Sequence, residues 1–155
     1  MNRRLWWLLA LALVAGGCGG KQEAEREEHE EEEEAGLSAF ELENGIGPVK
    51  EKLSIGPLDG ALVSKGQAIF ETKCSMCHKM DTTYVGPSLG EVTTRRTPEF
   101  VMNMILNPQE MVERHPVAKQ MLAERMTFMA NQNLTLDEAR AVLEYLRTQA
   151  KGGPK

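Results

Sequence analysis

Two cysteines two residues apart, with a histidine directly after the second, constrain this chain more than anything else in it: Cys74-Ser75-Met76-Cys77-His78. On a helical turn, positions i and i+3 share a face. Two thiols so placed match the spacing of the two vinyl groups of a haem and add to them as thioethers. The imidazole next to the second thiol then reaches the iron as fifth ligand, so the pattern is that of c-type haem attachment. A thioredoxin-like redox pair would follow a strand in a βαβ pattern, and nothing upstream of Cys74 has strand character. A structural zinc site needs four N or S ligands at ligand spacing. Only Cys18, His29 and His115 remain to complete one, and the first two lie in the N-terminal leader and the acidic run.

The N-terminus is expected to stand outside the fold. Arg3 and Arg4 precede an apolar stretch, Leu5 to Ala15, and the small residues Ala15-Gly16-Gly17 precede Cys18. This is the layout of a secretory signal, and it is short of the ~20 apolar residues of a transmembrane helix. With Cys74 and Cys77 assigned to haem, Cys18 is the odd cysteine. The small residues before it resemble a bacterial lipoprotein signal, making residues 1–18 a signal peptide that ends in a lipidated cysteine. Ordinary cleavage near Gly17 is the alternative. Export suits the haem motif, because c-type haem is attached outside the bacterial cytoplasm.

Residues 21–34 hold nine Glu against Lys21 and Arg26, a net charge of −7. Residues 59–155 hold 12 Lys and Arg against 11 Asp and Glu, a net of +1, so the chain's overall −5 belongs to the run. Like charges at that density repel and stay solvated. Glycine and proline then punctuate residues 35–58, as in extended or turn-rich chain. Residues 19–58 are therefore read as an acidic, then Gly/Pro-rich linker whose Ile-Gly-Pro pieces pack along a domain surface. No basic stripe with interleaved aromatics appears, so no nucleic-acid partner is expected.

Residues 59–150 carry the domain, with 151–155 as a short tail. The spacing of Leu62, Gly66, Ile69 and Phe70 predicts a helix over 61–73 that runs into the cysteine motif. Thr97-Pro98-Glu99 is a helix start, and Asn107-Pro108 ends that helix. Phe100, Val101, Met104 and Ile105 supply its apolar face, with Met102 toward the surface. Gln109 to Met126 is expected to be helical with a break at His115-Pro116, and His115 to face solvent. Thr135-Leu136-Asp137-Glu138 is a capping box. Leu136, Ala139, Val142, Leu143 and Leu146 follow it on one face, with Arg147 and Lys151 suited to the dipole at the helix end. The fold class is all-α, and a domain of this size is thin for a hydrophobic core alone.

Residues 59–150 resemble a class I cytochrome c of the small bacterial kind. Lys65-Gly66-Gln67-Ala68-Ile69-Phe70 resembles the family's first helix, and the resemblance implies that Gly66 and Phe70 pack against Tyr145 where first and last helices cross. Val85-Gly86-Pro87-Ser88-Leu89 resembles the loop after the haem motif. It implies that the Pro87 carbonyl accepts the second ring N–H of His78 and fixes its tautomer. The family's methionine ligand lies shortly before the capped last helix. Met129 fits that place, with Met126 as the alternative because Ala130 stands where the family often has proline. Arg95, Arg96 and Asn131 are candidates to hold the haem propionates.

The resemblance implies a protein with no catalytic residue: a monohaem, one-electron carrier with haem c held by Cys74, Cys77 and His78, and His78 and Met129 on the iron. Its partners would be a quinol-oxidising complex and a terminal oxidase or reductase. Its place would be the periplasm or cell envelope, at the membrane through Cys18. The rival reading is a five-coordinate haem sensor or peroxidase-like domain, which needs an iron with no sixth ligand.

Overall fold

The computed structural model describes residues 36–151, all of its regular elements being helical. The leader, Cys18 and the whole acidic run lie outside the described residues, as does the tail from residue 152 onward. The helices are α1 (Ala39–Asn44), α2 (Gly60–Ile69), α3 (Val92–Arg95), α4 (Pro98–Leu106), α5 (Pro108–Arg114), α6 (Pro116–Arg125) and α7 (Leu136–Thr148). No helix among the described residues is long and apolar enough to cross a membrane.

Local chemistry sets most boundaries. Asp59 caps α2 by accepting from the N–H groups of Ala61 and Leu62. Thr97 caps α4 through the N–H of Phe100, with Pro98 at the first helical position. Pro there gives up an N–H that has no helical partner anyway. The expected break falls at His115, which adopts extended backbone before Pro116. Thr135 and Glu138 cap each other's backbone at the start of α7. That helix ends at Thr148, and Leu136, expected on its apolar face, is 52% exposed in the first turn.

α2 and α7 cross with almost no space between their backbones. A β-carbon on Gly66 would overlap the carbonyl oxygen of Ala141. Beside the crossing, the Phe70 and Tyr145 rings stack tilted, with centroids 5.4 Å apart. Gly is unfavourable inside a helix by about 1 kcal/mol against Ala, and here the close approach explains it. Phe70, Val101, Met102, Ile105, Val142, Leu143 and Leu146 fill the core below.

The packing corrects further expectations. Met102 is buried, not at the surface, because α4 packs on both sides: Val101, Met102 and Ile105 face the main core, while Phe100 joins a second cluster with Leu37, Ile46, Met111 and Ala118. His115 is buried, not solvent-facing, at 0% exposure. The stretch 36–58, expected as linker along the surface, enters the interior. Leu37, Ile46 and Val49 are buried, and α1 carries its own capping box of Ser38 and Glu41.

Buried polar side chains hold that stretch, hereafter the strap. Asn103 donates to the carbonyls of Asn44, Gly45 and Val49 and accepts the Val49 N–H. Glu99 accepts the Leu53 N–H at 2.6 Å. Arg147, expected merely to complement a helix end, is buried; it pairs with Glu144 and donates to the Gly56 carbonyl at 2.9 Å. Irregular chain can be buried only when its backbone groups find partners, and these side chains provide them.

Candidate haem site

α2 does not run unchanged into the cysteines. It widens into a π turn over Phe70–Cys74, closed by the Ser75 N–H to the Phe70 carbonyl at 2.9 Å. Such turns are often found at functional sites. The Ser75 hydroxyl donates to the Glu71 carbonyl at 2.7 Å, satisfying an acceptor the wider turn leaves over. A last turn follows, in which the N–H groups of Cys77 and His78 both donate to the Cys74 carbonyl. The expected i, i+3 relation of the two thiols is therefore present. Cys74 is half-buried and Cys77 exposed. Burial pushes the Cys74 thiol above its ordinary pKa, with Lys73 opposing.

Both thiols and His78 stand on the wall of a cavity of about 590 Å³. Its lining is mainly apolar, with Phe70, Leu89, Phe100, Ile105, Val142 and Leu146 among the walls. The loop after the motif folds back beneath it: the Gly86 N–H donates to the Cys77 carbonyl at 2.8 Å. His78 Nδ1 and the Pro87 carbonyl oxygen are 2.9 Å apart, the pairing the sequence resemblance implied. A carbonyl only accepts, so Nδ1 carries the proton and Nε2 keeps its lone pair for a metal. Gly86 lies so close to the imidazole that a β-carbon would press into the ring.

Met129 also lines the cavity. Met126 does not: it takes the left-handed conformation, φ 53°, where α6 ends, and its side chain is 86% exposed. Arg95 and Arg96 line the cavity with Lys73 and Arg125, and Arg95 also donates to the Ser88 carbonyl. Asn131 is turned instead to the Leu106 carbonyl, at 3.3 Å. Sequence reasoning did not find Phe128, a half-exposed aromatic beside Met129 on the same wall. Its position in an unpatterned loop gave no signal.

These residues fit a c-type haem. Two thiols and an imidazole with a free nitrogen share one wall of an apolar cavity, and cationic side chains are available for carboxylates. The comparisons agree. The family model for cytochrome c matches residues 63–150, and this chain belongs to the cytochrome c family. A cytochrome c-553-like protein of Synechocystis sp. is 32% identical over a match covering 32% of this chain and 59% of that protein. The chain thus spans about three-fifths of the length of that curated relative. A cytochrome c from Rhodothermus marinus is 44% identical, with a TM-score of 0.69 over 74% of this chain and 99% of that one. An engineered form of the same protein, bound to a carbene intermediate, matches with a TM-score of 0.66, 44% identity and the same coverage. The fold is that of a small class I cytochrome c. Its cofactor is covalent haem c, and the attachment motif occurs once in the sequence.

Proposed function

We propose that this chain carries single electrons between respiratory partners, with His78 and Met129 as the residues that would hold the haem iron. The observation that carries this reading is Met129 on the wall of the cavity that also holds Cys74, Cys77 and His78, with Met126 turned outside it. Haem c, when bound, supplies an iron that cycles between ferric and ferrous states.

The protein's own residues do the rest. The Pro87 carbonyl fixes the tautomer and plane of the His78 ring, so that one nitrogen always faces the metal. A thioether from Met129 favours the ferrous state and sets a higher potential than a second histidine would. With His78 and Met129 both holding the iron, no coordination position would be left for a substrate. Apolar walls keep water out, and the tight α2–α7 crossing keeps them in place, so little has to move when the charge changes. Lys73, Arg95, Arg96 and Arg125 place positive charge around the cavity, available to the propionates.

The proposed partners are a quinol-oxidising complex and a terminal oxidase or reductase, met at the outer face of a bacterial membrane. Export, and anchoring through a lipidated Cys18, support that setting. Two acyl chains hold a lipoprotein firmly, where one alone is marginal. Protein matured with a haem-attachment system should retain its colour through acid-acetone extraction, and its mass should rise by one haem. A methionine-to-iron absorption band in the ferric state, with reversible one-electron titration, supports the carrier. A high-spin ferric spectrum that binds added ligands without delay would overturn it.

A further inference from the structure

One of the contacts that hold the strap can take up a proton. His115 links α5 to α6, and its Nε2 lies 3.1 Å from the Leu42 carbonyl of the strap. The neutral ring donates there. Its Nδ1 is buried with no partner. The Phe100 ring stands edge-on to it, centroids 5.3 Å apart at 81°, and Phe100 also lines the haem cavity. Around Phe100 lie Leu37 and Ile46 of the strap, with Met111 and Ala118 from α5 and α6.

A second proton on this ring would leave a buried positive charge with no carboxylate to pair with. The Arg96 guanidinium already stacks over Phe100 at 5.0 Å. From the strap, the Glu41 carboxylate turns back to Ser38, and Glu43 pairs with Lys52. On α5, Glu110 is engaged by Arg114 and Asn107. On α4, Glu99 accepts the Leu53 N–H. Lys119, on α6, adds only positive charge. Among the described residues no carboxylate is hydrogen-bonded to His115.

We propose that His115 is a proton-sensitive latch: neutral, it holds the strap on α4, α5 and α6; protonated, it lets the strap go and loosens Phe100 at the haem cavity. Burial pushes the His115 pKa below its ordinary 6.5; bonding to the backbone of Leu42 and Glu41 opposes this, and Arg96 adds to the lowering. The sign follows. A histidine whose pKa is depressed in the closed state stabilises that state fully above its open-state value of about 6.5. The stabilisation is lost as the pH falls from there through the lower, closed-state value.

Hydrogen exchange of the full-length holoprotein tests the latch. The amides of Ile46, Val49 and Leu53 are reporters, since each donates to a buried side chain, Met111, Asn103 and Glu99 respectively. After correction for the intrinsic exchange rate at each pH, their protection should be constant above about pH 6.5. Below it, protection should fall by up to about tenfold per pH unit, the limit for one proton. The α7 amides should stay protected over the same range. His115→Gln, which keeps a donor but cannot titrate, should flatten the fall, and Glu99→Gln should retain it. Constant strap protection in the wild type overturns the latch, as does a parallel loss in α7. So does a fall that persists in His115→Gln or disappears in Glu99→Gln. Should His115→Gln release the strap at neutral pH, the wild-type and Glu99→Gln profiles decide the matter.

Discussion

Gly66 on α2 and Ala141 on α7 meet backbone to backbone, with no room between them for a single methyl group. Gly66→Ala therefore drives a β-carbon against a carbonyl oxygen that cannot rotate away. The expected loss is about 3 kcal/mol, at the upper end for overpacking, read as a lowered denaturant midpoint by helical circular dichroism. Ala141→Gly should not rescue it, because the obstructing atom belongs to the main chain. Rescue would show that the helices meet through side chains instead.

Asn103 is the strap's main polar anchor, and its removal leaves three carbonyls and one N–H buried without their side-chain partner. Unmet buried groups cost roughly 1–3 kcal/mol each, with relaxation and water recovering part. Asn103→Ala should thus destabilise the domain by about 3 kcal/mol and raise exchange at Val49 selectively. An effect below about 0.5 kcal/mol, the usual range for surface sites, would mean the strap contributes little to folding.

The parts of this fold that are legible in the sequence are those whose partners are near in sequence. Thr97 with Pro98 and Thr135 with Glu138 announce helix starts because each cap is completed within three residues. The haem motif is legible for the same reason. Gly66 and the Pro87 contact to His78 are legible only through a family resemblance, since nothing local to either glycine or proline distinguishes them from ordinary helix and turn residues. What the sequence hides has distant partners. His115 meets Leu42, Arg147 meets Gly56 and Asn103 meets Val49, each across more than fifty residues. Residues 36–58 look like linker because their glycines and prolines suit turns. The polar groups that let those turns be buried stand on α4 and α7. The burial of Met102 is not legible in the sequence because a helix packed on both sides shows no polar face at that position.

Gly86 bears on ligation without touching the metal. Gly86→Ala should push on the His78 ring and stretch its contact to Pro87, while both thioethers still form. A less well-held imidazole should leave the iron more readily, so the change from low-spin to high-spin spectrum on adding denaturant should come at a lower midpoint than in the wild type. Pro87→Ala keeps the accepting carbonyl and should move that midpoint much less. Equal shifts in the two variants would assign the effect to general loosening of the loop.

Cys18→Ser separates the two readings of the N-terminus, which lies outside the described residues. Under lipidation, wild-type protein should fractionate with membranes, and the variant should be released or remain uncleaved. A wild-type mature chain that begins at Gly19 or later excludes the lipid anchor.

Met129 and Met126 lie three residues apart, and their surroundings predict opposite outcomes. Met129→Ala should abolish the methionine-to-iron band, lower the potential as the thioether is lost, and open the sixth position to carbon monoxide. Met126 occupies a left-handed position where a β-carbon is unfavourable and glycine is the usual residue. Its side chain is exposed, so little packing is at stake. Met126→Gly should therefore keep the band and stabilise the protein slightly, by roughly 0.4–1 kcal/mol at most. Loss of the band in Met126→Gly, with retention in Met129→Ala, would reverse the assignment. Retention in both would pass the ligand role to Met121, which also lines the cavity. Loss in both, with unfolding midpoints unchanged, would show that the loop must keep both side chains to bring any sulfur to the iron.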